Sequence, residues 1–224
     1  MSDRTDPPVD QPLRAEELRR RLATWSVDRL VDLVMDLAQS DWDLHVRVDR
    51  HVRAREDPSA TARALRRAID LTLLTGPVEW RAVSTFITGL DVALADVVAF
   101  GREHPADAMA LLHHLLAGLP AVFDGFGGED ELACFCEELA ERSVEVAARG
   151  GLPLRESLEP LLRAFVEDTY GHFEKIPDAL ARALTRVPGA ARAELYGCAM
   201  QLAGDARSSL VAETLESFAA QTRA

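Results

Sequence analysis

Between Pro77 and His104 the residues Trp80, Val83, Ile87, Leu90, Leu94 and Val97 recur every three or four positions. That spacing places them on one face of a helix. Phe86, Val92, Ala93, Ala95, Ala99 and Phe100 populate the other faces. A helix that is apolar nearly all round is normally buried. Residues 77–104 are therefore expected to form a central spine helix, relaxed or slightly bent at Gly89.

The rest of the chain repeats the same kind of signal. Ser26 can cap a helix whose stripe is Leu30, Leu33, Val34 and Leu37. A break near Ser40 leads into a further helical stretch to Arg55. Asp57-Pro58 pairs an N-cap residue with a proline at the first helical position. The helix it starts carries Leu65, Ile69 and Leu73 and ends at Gly76-Pro77. Pro105 opens a helix through Met109, Leu112, Leu115, Leu116 and Leu119, and Leu132, Phe135, Cys136, Leu139 and Val146 form another stripe. Further helices are expected over 153–169, 177–186, 188–203 and 206–221. Alternation of apolar and polar residues never persists long enough for a strand. The expected fold is all-α: an irregular α-solenoid or compact array of about ten antiparallel helices in stacked hairpins. No fixed repeat period is visible.

Residues 1–12, with Pro7, Pro8 and Pro12, read as a flexible N-terminal tail. Residues 13–224 read as one helical domain. Gly125-Phe126-Gly127-Gly128 is the strongest break and the place where two lobes would hinge.

Composition narrows the function classes. The net charge of −12 disfavours a protein built to grip phosphate backbone over a broad surface. Three cysteines make no disulfide framework. No basic-then-apolar leader opens the chain, and no apolar run approaches the roughly 18 residues needed to cross a bilayer. The expected location is the cytoplasm. Lys175 is the one lysine among 25 basic residues, a bias that GC-rich bacterial codon usage explains more simply than binding does.

The run Ala64-Leu65-Arg66-Arg67-Ala68-Ile69-Asp70, then Val78-Glu79-Trp80-Arg81 and the spine, resembles an uncharacterised bacterial family of helical-repeat proteins. Leu139-Ala140-Glu141-Arg142 is similar too, and the resemblance extends over residues 40–200. Some relatives are associated with SWIM-type zinc-finger proteins. The resemblance implies a helical-repeat fold with no assigned activity. A SWIM finger needs Cys-x-Cys followed later by Cys-x-His. Cys134-Phe135-Cys136 supplies the first half, but Ala199 and Met200 follow Cys198, so zinc binding is not implied here.

Each candidate for chemistry meets a geometric objection. Cys134 and Cys136 point about 200° apart on one helix and do not share a metal there. His113 and His114 diverge by about 100°, and His45 and His51 are six apart. No Gly-rich phosphate loop follows a strand, and no Gly-x-Ser-x-Gly elbow occurs. No cofactor, metal or catalytic residue is expected.

Asp91 falls along the spine between Ile87 and Leu94. A carboxylate there is costly to bury alone. It is expected either to pair with Arg66 or Arg67, or to be exposed at a groove, or to make a polar contact inside a ligand or peptide groove.

Charge is unevenly placed. Residues 44–67 carry seven arginines against three acids, a net of +4, and residues 129–174 carry a net of −8. Arg47 and Arg50 share one helical face; Arg63, Arg66 and Arg67 share another. These are either solvated faces or an interaction surface for a charged partner or for a second copy. The leading expectation is a non-enzymatic helical scaffold that binds an unknown protein partner. One alternative is nucleic-acid association through Arg47–Arg67. The other is a small-molecule sensor with a pocket along the spine, near Asp91.

Overall fold

The computed structural model describes residues 14–74, 82–123, 129–168, 170–206 and 208–223. Among them the elements are α1 (Ala15–Leu22), α2 (Val27–Ser40), α3 (Trp42–Glu56), α4 (Pro58–Leu73), α5 (Val83–Phe100) and α6 (Pro105–Gly118). A single turn, α7 (Pro120–Phe123), precedes α8 (Glu129–Gly150), α9 (Leu154–Glu167), α10 (Ile176–Leu184), α11 (Gly189–Asp205) and α12 (Ser209–Arg223). No strand occurs among the described residues, so the fold is all-α.

Local chemistry sets the helix starts. The Ser26 hydroxyl accepts the Arg29 N–H at 3.3 Å, and Asp57 accepts the Ala60 N–H at 2.8 Å with Pro58 beside it. Both satisfy donors that a helix leaves orphaned in its first turn. Pro105 and Pro177 occupy the first turns of α6 and α10, where a missing N–H costs nothing.

The chain divides into two compact units, Met1–Arg53 and Ala54–Ala224. The first holds α1, α2 and most of α3. Ala38 is the buried residue of α2, while Val27, Val31, Val34, Met35 and Leu37 are exposed. In its turn, Arg29 lies over the Trp25 ring at 4.2 Å.

The second unit has one continuous core running from Leu65 to Ala219. Its helices pack in two rows. α4, α6, α9 and α11 neighbour one another in that order; so do α5, α8, α10 and α12. Helices joined by the short connections 101–104 and 151–153 also pack on each other, so each such pair runs antiparallel. Residues 125–128, where a hinge is expected, lie outside the described residues. Side chains on both sides of that stretch, such as Val122 and Leu132, share the one core.

The spine differs from expectation. α5 ends at Phe100, where Gly101 closes it, and Trp80 lies outside the described residues. Val83, Leu90, Leu94 and Val97 are buried, but Asp91 and Val92 are exposed. α5 packs on α4, α6 and α8, whereas α8 packs on α5, α6, α9 and α10 and is the more enclosed helix. α5 begins its row, with no helix of that row before it among the described residues, which accounts for the exposure of Asp91 and Val92. α5 is also, among the described residues, the one helix long and apolar enough to cross a membrane by length and composition. That departs from the expectation that no such run exists. Its core face is used instead against its three neighbours.

Close packing dictates some small residues. A Cβ on Gly101 would come within 2.9 Å of Ala108 Cβ and 3.3 Å of Val146. Gly89 lies where α5 approaches Thr72 of α4, with 3.3 Å available to a Cβ. That close approach is a packing reason for a glycine there.

Candidate functional site

α4 positions the basic face. Asp57 and Pro58 decide where the helix starts, and Leu65 and Ile69 decide which side faces the core. Arg63, Arg67, Leu71 and Leu74 follow one another at i, i+4, i+8 and i+11 on the opposite side. Arg66 stands at the edge nearer α6, one turn before Asp70, whose carboxylate meets His114 of α6 at 2.6 Å. All three arginines are exposed, as are Leu71 (60%) and Leu74 (77%). Among the described residues none of Arg63, Arg66 and Arg67 takes part in an ion pair.

The other arginines of the basic segment are placed differently. Arg53 pairs with Asp49 at 2.7 Å, and Arg55 reaches Glu103 at 2.7 Å. Arg47 and Arg50 belong to α3 by their backbone, but their side chains lie outside the described residues. The unit boundary between Arg53 and Ala54 also cuts the segment.

Part of the acidic segment is paired with arginine. Arg142 sits between Glu138 and Glu145 at 3.1 and 3.0 Å, and Arg149 adds a second bridge to Glu145 at 2.7 Å. Glu159 takes Arg163 at 2.6 Å. Arg182 of α10 spans Glu137 and Glu141 of α8. Between α8 and α10 these side chains line an open groove of about 680 Å³ with Cys134, Val144 and Val187. Exposed pairs of this kind contribute little each; they occupy Glu137, Glu138, Glu141 and Glu145, and α8 keeps a net negative charge.

Asp91 is on the exposed side of α5, not in the core. The core face runs through Phe86, Leu90, Ala93 and Val97, and Asp91 is turned about 100° from Leu90. No ion pair joins it to Arg66 or Arg67 among the described residues. Partial burial at the helix edge raises its carboxyl above the usual carboxylate range, and Glu138 of α8 raises it further.

The cysteines and histidines are structural in their surroundings. Cys136 is buried, and burial pushes its thiol up to about 12. Cys198 is buried as well, and Cys134 is exposed. His113 and His114 diverge and tie α6 to different helices. His113 Nε2 is 2.8 Å from the Ser157 carbonyl of α9, while His114 reaches Asp70 of α4. A carbonyl only accepts, so His113 carries its proton on Nε2. Among the described residues no three His, Cys, Asp or Glu side chains are placed to hold a metal ion.

A second groove, of about 620 Å³, has no counterpart in the sequence expectations. His113, Leu116 and Pro160 contribute to its walls, with Arg163, Tyr170 and Phe173. Its turn is built by Asp168, which accepts the N–H groups of Tyr170, Gly171 and Phe173. Gly171 has φ +83°, a value that favours glycine. The available signals were Gly171 and Pro160, a proline inside α9. The expectation of one helix over 153–169 uses neither. Neither groove includes Asp91.

A family model described as a family of unknown function (DUF6880) matches residues 14–208. No curated protein and no solved structure matches the chain.

Proposed function

We propose that this chain, which belongs to that family of unknown function, is a non-enzymatic helical scaffold whose α4 face docks a protein partner. One observation carries the reading. Among the described residues Arg63, Arg66 and Arg67 take part in no ion pair, and all three stand exposed within two turns of one helix. Free guanidinium groups offer bidentate bonds to carboxylates. Leu71 and Leu74 extend the row, and apolar residues beside arginine suit a protein contact. Two rows of packed helices, in the manner of a short solenoid, would present such a face rigidly. The resemblance to a family some of whose members are associated with SWIM-type zinc-finger proteins would accord with a partner role for a chain whose sequence lacks the finger motif.

A pull-down with wild-type protein and an Arg63→Glu/Arg66→Glu/Arg67→Glu variant tests this. The wild type is expected to retain partners that the variant loses. Identical partner profiles, or no partners with either, count against it. Nucleic-acid binding through the same arginines is the alternative, and it predicts affinity falling steeply with salt on DNA or RNA. The exposed leucines favour protein, because a phosphate backbone makes no use of them.

A further inference from the structure

The two-row unit ends in surfaces that complement each other. At its start, α4 presents Arg63 and Arg67 with Leu71 and Leu74. At its finish, α12 presents Leu210, Glu213, Glu216 and Ser217 on the side away from buried Leu215 and Phe218. Leu210 is 71% exposed. Like the α4 arginines, Glu213 and Glu216 take part in no ion pair among the described residues. Each end therefore carries free charge of one sign beside exposed leucine.

The neighbouring helix adds a second observation. The outward side of α11 carries Ala193, Gly197, Met200 and Gly204. A Cβ built on Gly197 or Gly204 would meet nothing within 4 Å. Packing inside the chain thus gives no reason for either glycine, and a helical glycine weakens its own helix relative to alanine. Small residues on a helix surface let another helix approach closely. Here they lie on the helix that packs against α12, which carries Glu213 and Glu216.

We infer that the α4 face of one molecule docks on the α11–α12 face of a second copy of this chain. Arg63 and Arg67 would meet Glu213 and Glu216, while Leu71 and Leu74 lie against Leu210, Met200 and the glycines of α11. The contact joins two different surfaces, so each copy keeps one free end, and assembly continues as a ring or an open chain. The inference rests on the reading of α4 as a docking face and names the occupant: this same protein. The other exposed apolar side chains, those of α2 together with Leu18, Trp42, Val52, Val92 and Tyr170, carry no such assignment.

The test is sedimentation velocity on the full chain, with two variants checked for native helicity and melting. One variant breaks the head, Arg63→Glu/Arg67→Glu; the other breaks the tail, Glu213→Arg/Glu216→Arg. At about 100 µM protein and about 50 mM salt, the wild type is expected to sediment above one chain and to return to one chain at about 500 mM salt. Each variant alone should weaken assembly by at least about tenfold. Mixed in equal amounts, they should assemble again in alternation, because intact head meets intact tail and reversed head meets reversed tail, opposite in sign at both contacts. Carrying both swaps in one chain should restore assembly, because the signs are exchanged. A wild type that stays single at low salt overturns the inference. So does assembly indifferent to either swap, or a mixture that does not pair. If the wild type is single but the pull-down still separates it from the arginine variant, this inference falls and the docking role of α4 stands.

Discussion

Asp168 accepts the Phe173 backbone N–H at 2.6 Å, and its other carboxylate oxygen accepts the N–H groups of Tyr170 and Gly171 at 3.0 and 3.1 Å. One side chain thereby organises the whole connection from α9 to α10 and holds Tyr170 at the rim of the groove between α6 and α9. Asp168→Ala should cost about 1–3 kcal/mol, because several donors lose their acceptor together. Asp168→Asn keeps one carbonyl acceptor and should cost less. Urea unfolding of the three proteins checks the order. Equal stabilities would show that water replaces the carboxylate.

The glycines of α11 and the glycine that closes α5 should respond to alanine in opposite ways. Gly197→Ala and Gly204→Ala should each stabilise the isolated chain by up to about 1 kcal/mol, since the added methyl meets open space. Gly101→Ala should instead destabilise by about 1–3 kcal/mol, because the methyl would press on Ala108 and Val146. Melting temperatures measured under single-chain conditions should move in opposite directions.

Asp91 should act against stability at neutral pH. Partial burial, followed by Glu138, holds its carboxyl above the ordinary value of 3.8. A group raised in the fold is better tolerated protonated. Its penalty is absent below the unfolded value and develops as pH rises through the folded one. Asp91→Asn is thus expected to raise the melting temperature slightly at pH 7, with the gain vanishing below about pH 3.8. A lower melting temperature at pH 7 would restore the buried ion-pair expectation.

Thiol chemistry should single out one cysteine. Cys134 is exposed, while Cys136 is buried with its thiol pushed up to about 12, and burial also raises Cys198. The reactive species is the thiolate. A disulfide reagent at pH 8 should modify Cys134 rapidly and the other two only after unfolding. Cys134→Ser should abolish the fast phase. A fast phase that survives this change would place an opening motion at Cys136 or Cys198.

What was legible in the chain was local. Ser26, Asp57-Pro58 and Pro105 mark helix starts because a cap bonds within three residues of itself, and the apolar spacing of Leu65 with Ile69, or Leu90 with Leu94, names a buried side. These features determine an all-α protein and the core side of α4, and so where Arg63 and Arg67 must point. The same rules could not rank α5 against α8, because enclosure depends on how many helices pack around each. Nor could they say which charges are free. Arg55 meets Glu103 across 48 positions and Arg182 meets Glu137 across 45. Coulombic pairing acts over a few ångströms of space, whatever the separation along the chain. Only the packed rows decided that Arg182 of α10 reaches Glu137 and Glu141 of α8, while among the described residues the three arginines of α4 meet no carboxylate.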